Sequence, residues 1–192
     1  MYEFLNAPLQ PAPGDATDAP PDGRLIIDDF ELARPRTALG TRWQAFSDRV
    51  MGGVSALRVG RDAIAGKACL RMAGNVTRDH GGGFVQLALD FAPGGLPYDA
   101  RAFAGLELLV HGNDERYNAH LRTADVTWYE QSYRASFVAP HAWTRLRLPW
   151  VDFVPHGLAV PLDAGAVVRI GLLGWMREFR ADLAIGEIAL YR

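Results

Sequence analysis

Residues able to do chemistry are spread thinly along this chain of 192 residues. Its five histidines, His80, His111, His120, His141 and His156, are potential metal ligands or general bases. They share no metal-ligand spacing, so each reads as a surface or turn residue. Gly60 to Lys67 looks at first like a phosphate loop. It has five residues between Gly60 and Gly66 where four are needed, and Ala68 stands where a magnesium-binding hydroxyl belongs. The run Gly81 to Gly83 leads into a strand and offers no helix N-terminus for a phosphate. Ser55 and Cys69 have no base legible nearby, and no G-x-S-x-G elbow or G-x-G-x-x-G loop occurs. The expectation is no catalytic residue, no metal site, no cofactor, and a protein that binds rather than catalyses.

Two other groups of residues point to recognition. The first is the run from Trp43 to Ser55, which contains Asp48, Met51, Gly52 and Gly53. The two glycines permit backbone angles that side chains resist, and Asp48 can cap a turn. The run is either a structural lid on one end of the fold or a partner-binding loop with Asp48, Met51 and Gly52 at its edge. The second group is Arg122, Arg134, Arg145 and Arg147, all on the polar side of alternating segments. If their strands are neighbours they form one basic patch, with His120 and Glu130 interleaved, fit for an acidic partner. Otherwise they form solvated cross-strand ion pairs, worth about 0.2–1 kcal/mol each. Trp128, Trp150 and Trp175 are the tryptophans able to stack on a sugar ring.

The elements that must hold these residues are strands. Val85, Leu87, Leu89 and Phe91 alternate with polar or small residues, as do Leu106, Leu108 and Val110. So do Tyr117 to Thr123, Tyr129 to Phe137 and Thr144 to Leu148. Alternation with period two marks strands with one buried and one wet face. Further strands are expected at 25–30, 42–47, 55–60, 68–76, 167–176 and 182–191. The stretch Val167 to Trp175 is apolar on both faces and reads as a central strand, with Gly171 and Gly174 admitting close neighbours. Short helical turns are expected near Tyr98–Phe103 and Asp163–Val167. Many short strands between turn signals imply an all-β sandwich or barrel.

Composition bounds the rest. Apolar residues make up 49% and charged residues 22%, a globular mix. Net charge is −2, which argues against nucleic acid as a partner. A single cysteine forms no internal disulfide. Lys67 is the one lysine among 20 basic residues, as expected of a GC-rich, bacterial genome. No run reaches the roughly 18–20 apolar residues of a membrane span. Residues 1–23 form a Pro-rich leader without signal-peptide character, expected to be poorly ordered, so the default location is the cytoplasm. Residues 24–192 are expected to form one domain.

The run Ser47-Asp48-Arg49-Val50-Met51-Gly52-Gly53-Val54-Ser55 after Trp43 resembles the opening motif of the complex I intermediate-associated protein 30 family. Gly82-Gly83-Phe84, Leu106 to Gly112, Trp143 to Trp150 with Asp152-Phe153, and Ile170-Gly171-Leu172 follow in the family's order. Gly174 to Arg180 departs from its more polar turn, at a sandwich end where partners touch. The resemblance covers roughly 25–192. It implies a galactose-binding-like jelly roll of two antiparallel sheets. It also implies a non-enzymatic assembly module whose partners are respiratory complex I subunits or assembly intermediates. Such a module is cytoplasmic, or peripheral to the inner membrane through a partner. The alternative is a carbohydrate-binding module, which this fold also hosts.

Overall fold

The computed structural model describes residues 23–32 and 34–192, so the expected leader lies outside the described residues apart from Gly23. Twelve strands run in chain order: β1 (Arg24–Asp28), β2 (Trp43–Ser47), β3 (Arg58–Ile64), β4 (Lys67–Val76), β5 (Phe84–Asp90), β6 (Gly105–His111), β7 (Glu115–Thr123), β8 (Ser132–Ala139), β9 (Thr144–Pro149), β10 (Val154–His156), β11 (Val167–Trp175) and β12 (Phe179–Tyr191). The described residues contain no α-helix; short 3-10 turns join some of the strands.

All the strand pairings are antiparallel and make two sheets. The first has the order β3-β4-β12-β6-β9, with β1 also pairing to β12. The first half of β12 meets β4 and its last residues meet β1, so the two lie end to end along one edge. The second sheet has the order β10-β8-β7-β11-β5-β2. This is the jelly-roll sandwich expected.

The alternation explains why the sheets stack. Val85, Leu87 and Leu89 of β5, Tyr117, Ala119 and Leu121 of β7, and Tyr133 of β8 are buried on the inner face of the second sheet. They meet Leu106, Leu108 and Val110 of β6 and Leu183, Ile185, Ile188 and Leu190 of β12. Each fully buried aliphatic side chain is worth about 1.5–3 kcal/mol. The apolar strand β11 is central, between β7 and β5, as its two apolar faces require. A bulge between Val167 and Arg169 shifts its register. Val167 and Ile170 can then both be buried, while Arg169, Gly171, Leu173 and Trp175 take the outer face.

Several boundaries differ from expectation: the strand expected at 25–30 ends at Asp28 and that at 182–191 begins at Phe179, and three other differences have a local setting. The strand expected at 55–60 begins at Arg58: the Ser55 amide is drawn to Asp48 Oδ1 at 2.9 Å, although the Ala56 amide still reaches Asn75 O of β4 at 2.9 Å. The strand expected from Tyr129 begins at Ser132. Gln131 Oε1 accepts the Thr127 and Trp128 amides, both at 3.1 Å, and folds that stretch into a turn. Tyr98 bridges to Val167 as an extended residue, whereas Ala164–Ala166 does form a 3-10 turn, capped by Asp163.

Candidate binding cleft on the second sheet

The outer face of the second sheet carries a cleft of about 540 Å³. Strand parity decides what lines it. Odd residues of β7 enter the core, so His120 and Arg122 face outward. Ser132 and Arg134 of β8 and Phe84 and Gln86 of β5 do the same. Across the sheet, Arg134 stands opposite His120, and His120 opposite Gly171. Gly171 forms the floor: a Cβ there would lie 2.3 Å from Gln86 Nε2, so the Gln86 side chain lies over the glycine. Met51 and Met176 edge the cleft. Both are exposed.

The charges in the cleft are unequal. Arg169 is neutralised by Asp90, with Nε at 2.5 Å from Oδ1. Arg122 donates through Nη2 to the Trp128 carbonyl at 3.0 Å. Arg134 donates from Nε to Ser132 Oγ at 2.9 Å and from Nη2 to the Glu130 carbonyl at 3.2 Å. Its guanidinium also caps the Trp175 ring, 4.3 Å from the centroid. Burial lowers the pKa of both Arg122 and Arg134, and the charge of Arg169 adds to the effect on Arg122. His120 stands edge-on to Trp175, 5.1 Å between centroids. Burial first, then the nearby Arg134 and His156, pushes its pKa down to about 3, so the ring is neutral at physiological pH. Its Nε2 is buried and has no hydrogen-bond partner.

Asp48 organises one end of this cleft from beneath. It is fully buried. Its Oδ1 accepts the Ser55 amide at 2.9 Å, and its Oδ2 accepts the Ser55 hydroxyl and the Gly83 amide, the latter at 2.6 Å. Burial alone would raise its pKa; these bonds outweigh it and hold the carboxyl below its ordinary value. Gly53 and Gly82 leave the space it occupies, since a Cβ on either would approach the carboxylate to 2.4 Å. The Gly83 carbonyl accepts the Met176 amide at 2.7 Å. One carboxylate therefore ties together the turn that carries Met51, the glycine run and the turn that carries Met176.

A family model for complex I intermediate-associated protein 30 matches residues 30–184. The chain belongs to that family. A comparison with curated proteins finds none similar in sequence. Among solved structures, the family's fold here is similar to a family 11 carbohydrate-binding module from Clostridium thermocellum, solved with a mixed-linked tetrasaccharide. The TM-score is 0.64 at 13% identity, covering 88% of this chain and 95% of that one. The same family 11 module of a C. thermocellum cellulosomal cellulase gives a TM-score of 0.66 at 13% identity, covering 88% and 94%. A family 30 carbohydrate-binding module gives 0.60 at 15%, covering 88% and 87%. At these identities the likeness shows the fold.

The structure places the expected site residues in three regions. Arg122, Arg134 and Met51 line the cleft, with Gly52 exposed beside Met51. Asp48, Gly53 and Ser55 are buried beneath, so they present no contact surface; here the lid reading of that run describes their geometry. The single basic patch is corrected. Arg145 and Arg147 lie on β9, which pairs with β6 in the first sheet, so they face the opposite side of the sandwich. There they bind Glu107, at 2.8 Å each. Trp43 is at the far end of β2 from Asp48 and donates to Asp28 Oδ2 at 3.1 Å. Trp150 donates to the Phe103 carbonyl at 2.8 Å and packs on the core, away from the cleft. Sequence reasoning did not assign Gln86, Arg169 or Met176 to a site. The parity of β5 and β11 was a signal for the first two.

Proposed function

We propose that this chain is a non-enzymatic binding module that assists assembly of respiratory complex I, and that it grips a protein partner with the cleft on its second sheet. The observation that carries this reading is the cleft itself. It joins apolar groups (Met51, Phe84, Leu173, Met176) to two guanidiniums that no carboxylate among the described residues neutralises. Its volume lies within the range of about 300–1,000 Å³ typical of binding pockets. Methionines on its rim give an adaptable apolar contact. The family membership supplies the assembly role. Neither Ser55 nor Cys69 is set up as a nucleophile: Ser55 is bound to Asp48 and Thr77, and burial raises the Cys69 pKa.

A sugar ligand is favoured less. Stacking needs a free aromatic face; the Trp175 ring is capped by Arg134, which leaves the exposed Tyr129 as the ring in the cleft open to a sugar.

The test is complementation in a native host from which the gene has been deleted. Assembled NADH:ubiquinone oxidoreductase is read on native gels by activity staining. Wild type and Arg58→Gln, altered on the first sheet, should restore assembly. Gln86→Trp, which fills the cleft floor, should not, while melting at the wild-type temperature. Normal assembly in the deletion strain, or full rescue by a folded Gln86→Trp variant, would contradict the proposal.

A further inference from the structure

Resting on the reading of the cleft as the binding face, we propose that it takes a carboxylate side chain of an acidic, apolar-flanked peptide segment, held between Arg122 and Arg134. Both guanidiniums are half-buried, and among the described residues neither has a carboxylate within ion-pair distance. Their partners are two carbonyls and a hydroxyl. Glu130 also lines the cleft, but it is exposed and forms no ion pair with them. Among the described residues the other half-buried arginines each have a carboxylate: Arg24 has Glu107, Arg71 has Asp182, Arg169 has Asp90 and Arg177 has Glu115. A cation withdrawn from water without a counter-ion is costly, and a bound anion removes that cost.

The spacing suits one carboxylate. Arg134 is directly opposite His120, so Arg122 is its diagonal neighbour across the β7–β8 pair. Such neighbours stand about 7–8 Å apart, within reach of long side chains. Arginine forks match a carboxylate in geometry as well as charge. His120 lies on the same outer face, and its buried Nε2 has no partner among the described residues.

Two features select a peptide over other sources of carboxylate. A small free anion would leave Phe84, Leu173 and the rim methionines without a partner. An acidic polysaccharide would find Tyr129 as the exposed ring of the cleft, the Trp175 face being covered by Arg134, and would set its hydroxyls against the apolar groups.

The experiment uses the full chain, labelled with nitrogen-15, and four probes. These are a capped Ala-Leu-Glu-Leu-Glu-Ala peptide, the same peptide with glutamine for glutamate, sodium acetate and polygalacturonate. The glutamate peptide should shift the amides of His120, Arg122 and Arg134 and the Trp175 indole, more weakly as salt rises. The glutamine peptide should bind about tenfold or more weakly. Arg122→Gln and Arg134→Gln should each weaken the glutamate peptide about tenfold, Arg134→Lys less, and Arg58→Gln not at all. Equal binding of the two peptides overturns the carboxylate claim, as does the absence of shifts at millimolar peptide. Acetate or polygalacturonate binding as tightly as the glutamate peptide overturns the peptide as occupant. Either failure beside a Gln86→Trp variant that cannot support assembly would sink this inference and leave the proposed function standing. Peptide binding beside normal assembly in the deletion strain would do the reverse.

Discussion

Replacing Asp48 with asparagine tests how the cleft is built. The carboxylate is fully buried and accepts from the Ser55 amide, the Ser55 hydroxyl and the Gly83 amide, with the Phe84 amide at 3.4 Å. Asparagine supplies one acceptor oxygen. Its better orientation keeps that oxygen toward Gly83 and the Ser55 hydroxyl and turns its NH2 against the Ser55 amide. One buried donor then loses its acceptor, at about 1–3 kcal/mol. The surviving bonds lose charge assistance, which roughly doubles a hydrogen bond's strength. The sum is about 3 kcal/mol. In a protein of this size each kcal/mol moves the melting temperature by about 2–4 °C, so a fall of about 6–12 °C is expected. Calorimetry at pH 7 reads it. The pH dependence has a definite sign. A carboxyl held below its ordinary pKa of about 3.9 stabilises the fold above that value and loses the contribution as pH falls through the native pKa. The gap between wild type and Asp48→Asn should therefore be full at pH 7, begin to narrow near pH 4 and shrink further as pH falls through the native pKa below that. A fall under about 2 °C at pH 7, or a gap that persists in acid, would refute the brace.

Gly53→Val should destabilise comparably, because its Cβ meets the Asp48 carboxylate at 2.4 Å; Gly52→Val acts through its positive φ of 91° and should cost about 1 kcal/mol or more, read by denaturant unfolding. Glu107→Gln should cost roughly 2 kcal/mol, because Glu107 is buried beneath Arg145 and Arg147, while those arginines stay partly in water. Its effect should also fade in acid, since the hydrogen bonds from Arg147 and Arg145 outweigh burial and hold its pKa low. Cys69 is buried and its pKa raised by that burial, so a thiol reagent at pH 7 should label the native protein far more slowly than the unfolded one.

Much of this architecture is legible in the residues. The alternations in β5, β6, β7 and β9 name the inward side chains correctly, because a strand in a sandwich must hide one face. Parity also turns Arg122 and Arg134 outward. What parity cannot supply is strand order. Arg145 and Arg147 obey the same alternation as Arg122 and Arg134, yet β9 joins the other sheet, and one expected patch becomes two opposite faces. The bulge in β11 was equally hidden, although it lets Val167 and Ile170 both turn inward. Asp48 shows a different limit. An acidic residue beside glycines reads as an exposed turn. Its burial depends on Gly82 and Gly83, some 35 residues later, which chain proximity does not reveal. The structure places the Asp, second Gly and Ser of the family motif under the cleft and its Met on the rim.

The central claim is that the second-sheet cleft is the face that meets the partner. Site-specific photo-crosslinking in the native host tests it most directly. A photoreactive amino acid replaces Met51 on the cleft rim in one variant and Arg58 on the opposite sheet in another, and the crosslinked products are identified by mass spectrometry. Crosslinks to a subunit or assembly intermediate of NADH:ubiquinone oxidoreductase are expected from position 51 and none from position 58. Crosslinks to such a subunit from position 58 with none from position 51 would contradict it.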